Sequence, residues 1–131
     1  MKSFYSKLCL IACLTITACS KNKNTTEVVK KLTGADSGKT TAVTKGETIT
    51  LTLGNPGDGG YHFNDPQFKT SVLTLVSHTQ QAGSNAVGDF GTDTWKFTAN
   101  GTGTTTLKIT ASRGTPGAES LSLFANEIVV K

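Results

Sequence analysis

From residue 27 onward, apolar and polar residues alternate along most of the chain. Ile49, Leu51 and Leu53 are separated by threonines, which is the pattern of a β-strand with one buried face. The alternation recurs further along, and no segment keeps a helical period over ten residues. The predicted strands are residues 27–32, 39–43, 47–53, 61–63, 71–77, 92–99, 104–112 and 121–130.

Turn-forming residues separate these strands and predict how they connect. The segment Asn100-Gly101-Thr102-Gly103 is a strong hairpin signal. Trp95 falls on the apolar side of its strand, and we expect it in the core. In the last strand the alternation changes phase near Ala125-Asn126, which predicts an irregularity near these residues. The pattern predicts an all-β fold, an immunoglobulin-like antiparallel β-sandwich of seven to eight strands.

The first residues differ from the rest and predict a secretory signal. Lys2 and Lys7 precede an apolar run over residues 8–17, and small residues close it at Ala18-Cys19-Ser20. The run is about half the ~20 residues that a membrane-spanning helix needs. Residues 20–26 are polar without apolar periodicity, as in a flexible tether.

Residues 14–19, Leu-Thr-Ile-Thr-Ala-Cys, resemble the lipobox of bacterial lipoproteins. The resemblance implies that the Cys19 thiol carries a diacylglyceryl group and that the signal is cut before it. The implied organisation is a signal peptide over residues 1–18, a lipidated cysteine with its tether over 19–26 and the sandwich over 27–131. Acyl chains would hold the protein in a lipid bilayer. Ser20 after the cysteine implies an outer-membrane lipoprotein of the bacterial cell envelope, facing the periplasm or the cell surface.

Net charge and cysteine count change meaning once the signal is set apart. The formal charge of +4 suggests an anionic partner. After Leu32, however, seven basic residues face eight acidic ones, so no basic stripe for nucleic acid is expected. Of the three cysteines only Cys19 would survive cleavage. This excludes a disulfide, a cysteine metal site and a cysteine nucleophile in the mature chain.

Tests for catalytic and metal motifs give no positive sign. Residues 34–40 look like a phosphate-binding loop but have one residue too few between the glycines, so a polar turn is expected. His62 and His78 lie on different predicted strands, without the third ligand that a catalytic zinc needs. No Gly-x-Ser-x-Gly elbow occurs. The aspartates do not match a calcium loop and are expected in turns: they are Asp58, Asp65, Asp89 and Asp93. We expect no catalytic residue, metal or cofactor.

Three glycine-rich loops are the remaining candidates for function. The first loop covers residues 54–61, the second 81–91 and the third 113–117. In an immunoglobulin-like sandwich the loops after the second and sixth strands lie at one end. Rigid sandwiches often carry function on such loops, although these could equally be plain turns.

These loops resemble those of the chagasin-type inhibitors of papain-like cysteine peptidases. That family has an immunoglobulin-like sandwich with three ordered motifs: Asn-Pro-Thr-Thr-Gly-Tyr/Phe, a Gly-x-Gly-Gly-type loop and Arg-Pro-Trp/Phe. Here the chain reads Asn-Pro-Gly-Asp-Gly-Gly-Tyr over residues 55–61, Gly-Asp-Phe-Gly over 88–91 and Arg-Gly-Thr-Pro-Gly over 113–117. The first loop is one residue longer, with Gly57-Asp58 in place of Thr-Thr, and the third lacks the aromatic after Pro116. A missing aromatic removes an anchor of the kind that often dominates interface energy.

The resemblance implies a reversible, non-covalent inhibitor whose first loop fills a peptidase cleft while the other two clasp its rim. In this picture the first loop has its tip at Gly57-Asp58, and Arg113 makes polar contacts with the rim. The alternative is a non-inhibitory, envelope-anchored module that binds a glycan or a partner protein; an enzyme is a distant third. The implied peptidase-binding residues are Asn55, Pro56, Gly57, Asp58, Gly60, Tyr61, Gly88, Gly91, Arg113 and Pro116.

Overall fold

A computed structural model describes residues 26–114 and 119–131. The predicted signal peptide, Cys19 and Pro116 lie outside the described residues. Within the described part, no helix is long and apolar enough to cross a membrane. The strands are β1 (Val29–Thr33), β2 (Thr40–Val43), β3 (Thr48–Gly54), β4 (Tyr61–Phe63), β5 (Leu73–Gln81), β6 (Thr92–Ala99), β7 (Gly103–Arg113) and β8 (Ser120–Val130).

The strands form two four-stranded sheets, in the orders β1-β3-β6-β5 and β2-β8-β7-β4. The predicted all-β sandwich is thereby confirmed. The central pairs are antiparallel, as predicted, but β1 runs parallel to β3 and β2 runs parallel to β8. These parallel pairs lie at sheet edges, where the first two strands each join a different sheet.

The core lies between the sheets and contains the apolar residues that the alternation placed on the inner faces. Trp95 is 1% exposed, which confirms its predicted place in the core. Its ring meets Phe63 edge-on at a centroid distance of 4.8 Å, and Phe68 meets Phe97 in the same way at 5.4 Å. Full burial of one such side chain contributes roughly 1.5–3 kcal/mol. The sandwich is therefore closed by apolar packing rather than by covalent links.

One strand extends further than the sequence predicted. The strand predicted over residues 71–77 is β5, which continues to Gln81. The polar residues from His78 onward hid this continuation, because β5 is an edge strand whose side chains are mostly exposed. β5 also bulges between Leu75 and Ser77, so Val76 is an extra residue opposite β6. This bulge turns His78 toward Trp95.

The irregularity predicted near Ala125-Asn126 is present, but it lies two residues earlier in the strand. The register of β8 against β7 shifts between Ser122 and Phe124, so Leu123 is the extra residue. From Phe124 onward the inward phase is regular and includes Asn126, which is 1% exposed. Because Asn126 is polar, it masked that inward phase in the sequence. Its side-chain Nδ2 donates to the Asp36 carbonyl at 2.7 Å.

The segment that looks like a phosphate loop is a turn, as expected. Gly34–Asp36 forms a single 3-10 turn between β1 and β2. The Asp36 carboxylate accepts the Thr33 backbone N–H at 2.9 Å, and this hydrogen bond is the main reason that its pKa lies below the usual value. The acidic side chain thus closes the turn, which offers no cradle for a phosphate.

The sandwich has two distinct ends, and all three glycine-rich loops leave from one of them. We call it the loop end: Gly54 and Gln81 both lie opposite Thr92, and Tyr61 lies opposite Arg113. The opposite end holds the turn at Thr44–Glu47 and the hairpin at Asn100–Gly103. Since β1 runs parallel to β3, the described chain enters at this opposite end.

Candidate functional site at the loop end

The first loop is held by a short helical turn whose residues cap one another. Pro56–Gly59 forms a 3-10 turn, and the Asn55 side-chain oxygen accepts the Gly57 backbone N–H at 2.9 Å. Pro56 at the first position supplies a backbone angle suited to the turn. Gly60 ends it in the left-handed region with φ of +73°, which favours glycine. The loop therefore projects as a defined tip formed by Gly57 and Asp58.

Arg113 braces the first loop from the neighbouring strand. Its Nε donates to the Gly59 carbonyl at 2.7 Å, and its Nη2 donates to the same oxygen. The guanidinium carbon lies 5.0 Å from the centre of the Tyr61 ring, a cation–π arrangement. The pairing of Tyr61 with Arg113 across β4 and β7 makes both contacts possible. The predicted contact of Arg113 with a partner's rim stays a prediction.

The second loop is closed by its own carboxylate. Asp89 accepts the backbone N–H and the hydroxyl of Ser84 at 2.7 and 2.6 Å, and the Gly91 backbone N–H at 3.0 Å. The Ser84 hydroxyl is the main cause that holds the pKa of Asp89 below its usual value, and the two backbone donors act in the same direction. Gly88 and Gly91 both have φ of +83°. The loop is thus shaped by one acid and two glycines.

The first two loops touch at their bases and at their tips. The Asn55 backbone N–H donates to the Gly91 carbonyl at 2.9 Å. At the tips, a β-carbon on Gly57 would lie only 2.7 Å from Cδ1 of Phe90, so the phenyl ring fills the space beside this glycine. A β-carbon on Gly88 would lie 3.8 Å from the Asp58 carboxylate oxygens. The first two loops therefore form one connected surface rather than two separate turns.

A buried carboxylate that sequence reasoning missed supports this surface from below. Asn55 Nδ2 donates to Asp93 Oδ2 at 2.7 Å, and Asp93 Oδ1 is 2.6 Å from His78 Nε2. The His78 ring stacks on Trp95 at 4.5 Å with only 7° between the planes. The expectation that Asp93 lies in a turn is wrong: it lies in β6 and is 3% exposed. Its inner-face position, in step with Trp95, was a signal in the sequence.

The arrangement is suited to binding rather than to chemistry. Among residues 26–114 and 119–131, no group of three or more His, Cys, Asp or Glu side chains is placed to hold a metal ion. His78 uses Nε2 to contact the buried Asp93. A shallow surface depression lined by residues 26–28 and 44–47 lies at the opposite end. The loops instead project outward, and they bring together every implied binding residue except Pro116, which lies outside the described residues.

The sequence family agrees with this architecture. The Chagasin family peptidase inhibitor I42 matches residues 42–123, more than half of the chain, and this stretch includes the first two loops and Arg113. The chain belongs to this family. It is a peptidase inhibitor by family and not an enzyme. A search of curated protein sequences gives no significant match.

Solved structures of low sequence identity share the fold. The cysteine protease inhibitor EhICP2 from Entamoeba histolytica is 22% identical, with a TM-score of 0.66 over 79% of this chain and 96% of its own. Amebosin is 21% identical, with a TM-score of 0.53 over 79% of this chain and 98% of its own. PbICP-C, solved in complex with falcipain-2, is 14% identical, with a TM-score of 0.50 over 80% of this chain and 92% of its own.

Proposed function

We propose that this protein inhibits papain-like cysteine peptidases by reversible occlusion of the active-site cleft. One observation supports the proposal above all: in a chain of the chagasin inhibitor family, the first two loops and Arg113, where the third loop begins, are braced into a single projecting surface. PbICP-C, which shares the fold, was solved bound to falcipain-2. The first loop would enter the cleft, and the second and third would contact its rim.

The chemistry of the loop tip supports a blocking role. Gly57 has no side chain and Asp58 is exposed, so the tip is narrow and carries one carboxylate. In the cleft of a cysteine peptidase, this carboxylate would face both the catalytic thiolate and its imidazolium partner. The loop presents no thiol that could form a covalent bond with the enzyme. Inhibition would therefore come from filling space.

The bracing also supports tight binding. A loop that is already ordered loses little conformational freedom on association, and this loss otherwise subtracts from affinity. Here the Asn55 side chain accepts the Gly57 N–H within the turn, Arg113 donates to the Gly59 carbonyl, and Asp93 accepts from Asn55. The shape of the tip is thus set within the chain itself.

The test is a titration of the full-length chain, purified in mild detergent, against papain and a panel of related cysteine peptidases. We expect inhibition that is reversed on dilution, with the inhibitor recovered intact. Arg113→Ala should weaken inhibition about 10-fold or more, because the brace on the first loop is lost. Lys108→Ala removes a cation from the same strand away from the loops and is the matched control. No inhibition of any panel member at micromolar concentration would overturn the proposal.

We also propose that the protein is a lipoprotein of the bacterial envelope, anchored through acylated Cys19 in the outer membrane. The supporting observation is the lipobox-like segment before Cys19. Two or more acyl chains hold a protein firmly at a bilayer, because each buried methylene contributes about 0.8 kcal/mol. Cys19→Ala should move the protein from the membrane fraction to the soluble fraction, whereas Cys13→Ala should not. Continued sedimentation of Cys19→Ala with membranes would refute the anchor.

A further inference from the structure

The loop end carries exposed apolar side chains that take no part in the hydrogen bonds holding the loops. Phe90 is 46% exposed and Val87 is fully exposed, three residues apart on the second loop. Exposed apolar residues that cluster at a projecting edge mark interaction sites more often than scattered ones do. Phe90 is the one aromatic among the large exposed apolar residues of the described ranges, which are Val28, Val29, Leu75, Val76, Val87, Phe90 and Leu121.

The Phe90 ring is held in place although much of it faces solvent. One side lies against the tip of the first loop, where Gly57 leaves the space that the ring occupies. A β-carbon on Gly57 would approach the ring to 2.7 Å at Cδ1 and 3.0 Å at Cγ. The absence of a side chain at Gly57 therefore does more than keep the tip of the first loop narrow. It also lets an aromatic ring of the second loop lie beside the first loop.

The backbone on both sides of Phe90 is fixed as well. Asp89 binds Ser84 and the Gly91 N–H through its carboxylate, and the Gly91 carbonyl accepts the N–H of Asn55. A rigid aromatic side chain gains contact area on binding at a low cost in conformational entropy. Fixed, half-exposed aromatic residues at the centre of a binding surface are typical hot spots.

We propose that Phe90, with the exposed Val87 three residues before it on the same loop, is the apolar anchor of the inhibitory surface. It would contact an apolar patch on the rim of the target's cleft. The proposal rests on the proposed inhibitory function and adds the chemistry of the partner: a hydrophobic surface next to the cleft, in contact with the second loop. It also accounts for the third loop, which has no aromatic residue after Pro116. The apolar contact would come from the neighbouring loop instead.

The experiment measures inhibition constants of the full-length chain and its variants against a peptidase that the unmodified chain inhibits. Phe90→Ala should weaken inhibition about 30-fold, through faster dissociation. Phe90→Leu keeps most of the apolar area, so its loss should be about 3-fold. Val87→Ala should cost about 3-fold, while Val28→Ala, the same substitution at an exposed site far from the loops, should cost nothing measurable.

Ionic strength separates an apolar anchor from a charged one. The loss caused by Phe90→Ala should be the same at low and high salt. The loss caused by Arg113→Ala should shrink at high salt if Arg113 also meets charges on the partner. The unfolding temperature of Val87→Ala should match that of the unmodified chain, because this side chain is fully exposed. That of Phe90→Ala should fall only slightly, because the ring loses only its contact beside Gly57.

The outcomes separate this inference from the function on which it rests. If the unmodified chain inhibits and Phe90→Ala inhibits equally well, the anchor is refuted and the inhibitory function stands. A large fall in the unfolding temperature of Phe90→Ala, with unchanged inhibition by Val87→Ala, would mean that the ring only packs the loop, which also refutes the anchor. If the unmodified chain inhibits no papain-like peptidase, both proposals are overturned.

Discussion

The two ends of this sandwich are built by different means. At the opposite end, main-chain hydrogen bonds do most of the work: the Gly46 N–H donates to the Ala99 carbonyl at 2.8 Å, and the Asn100 N–H donates to the Val72 carbonyl at 3.0 Å. Two side chains add to them, since the Glu47 carboxylate accepts the Thr44 N–H and Asn100 Nδ2 donates to the Thr70 carbonyl. At the loop end, side chains do most of this work, through the carboxylates of Asp89 and Asp93 and the guanidinium of Arg113. The opposite end therefore depends more on main-chain hydrogen bonds, and the loop end depends more on side chains.

This contrast separates what is needed for folding from what is needed for binding. Main-chain hydrogen bonds are available to almost any sequence, so turns fixed by them tolerate changes of side chain. Loops fixed by side chains can project away from the sheets and still be ordered, which a binding surface requires. We therefore expect substitutions at the opposite end to change stability alone, and substitutions at the loop end to change inhibition as well.

The largest expected effect comes from a pair of glycines, one at each end. A β-carbon on Gly91 would collide with the Gln81 carbonyl, and one on Gly101 would collide with the Ser71 carbonyl. Gly91 also has φ of +83°, so Gly91→Ala should lower the free energy of unfolding by about 2–4 kcal/mol and Gly101→Ala by about 1–3 kcal/mol. Gly91→Ala should also weaken inhibition at least about 10-fold. Urea unfolding and inhibition assays measure the two quantities.

The comparison between the ends would break if Gly101→Ala, in its folded fraction, weakened inhibition as much as Gly91→Ala. Gly54→Ala is the control for both. Gly54 has no positive φ and open space around it, so this variant should match the unmodified chain in stability.

The next effect concerns the buried acid beneath the loops. Asp93→Ala would leave Asn55 Nδ2 and His78 Nε2 without their acceptor. Loss of hydrogen bonds to a buried charged group should lower the free energy of unfolding by about 2–3 kcal/mol. Inhibition should weaken too, since Asn55 caps the turn that forms the first tip. Thermal unfolding and inhibition constants test both effects.

Two variants sharpen this test. Asp93→Asn keeps one acceptor oxygen and should lie between the unmodified chain and Asp93→Ala. Asp65→Ala removes an exposed carboxylate and should leave both quantities unchanged. A loss of stability in Asp93→Ala without any loss of inhibition would show that the buried acid supports the sandwich but not its loops.

The smallest effect is an acid-induced loosening of the second loop. Hydrogen bonds hold the pKa of Asp89 below its usual value, so the ionised form favours the closed loop. This contribution is complete above the usual carboxyl pKa and disappears as the pH falls through the lowered pKa of the folded chain. The backbone amide signals of Ser84 and Gly91 should therefore titrate together, with a midpoint below the usual value. In Asp89→Asn they should not titrate; a midpoint at or above the usual value would contradict the closed loop.

Alternation alone predicted most of the sandwich, since burying one face of each strand leaves little freedom. The predicted strand limits fall within two residues of the observed ones, except at the end of β5. At the end of β5 the residues are polar, because an edge strand needs no apolar outer face. The alternation of apolar and polar residues is therefore lost there, and it cannot show that the strand continues. The sequence also could not predict that β1 pairs parallel to β3 and that β2 pairs parallel to β8, because side-chain alternation is the same for either strand direction.

Only part of the loop end could be predicted from the sequence. The order of the three motifs pointed to the loops, yet the sequence did not show what holds them. Asp93 could have been recognised, because it lies on the inner face two residues before Trp95. His78 could not have been, because the extra residue Val76 moves it to the inner side of β5. The contact of Phe90 with Gly57 depends on the three-dimensional approach of two loops that lie about thirty residues apart in the chain.

The parallel pairing of β1 with β3 has a consequence for geometry at a membrane. Val29 lies opposite Thr48, so the described chain begins at the end of the sandwich remote from the loops. With the proposed anchor at Cys19, residues 20–26 reach at most about 25 Å, and an eleven-residue strand such as β8 adds about 36 Å. Because the predicted tether attaches at the opposite end, the loop end would be free to face the aqueous compartment. A diffusing peptidase could then be captured from solution without either partner displacing lipid.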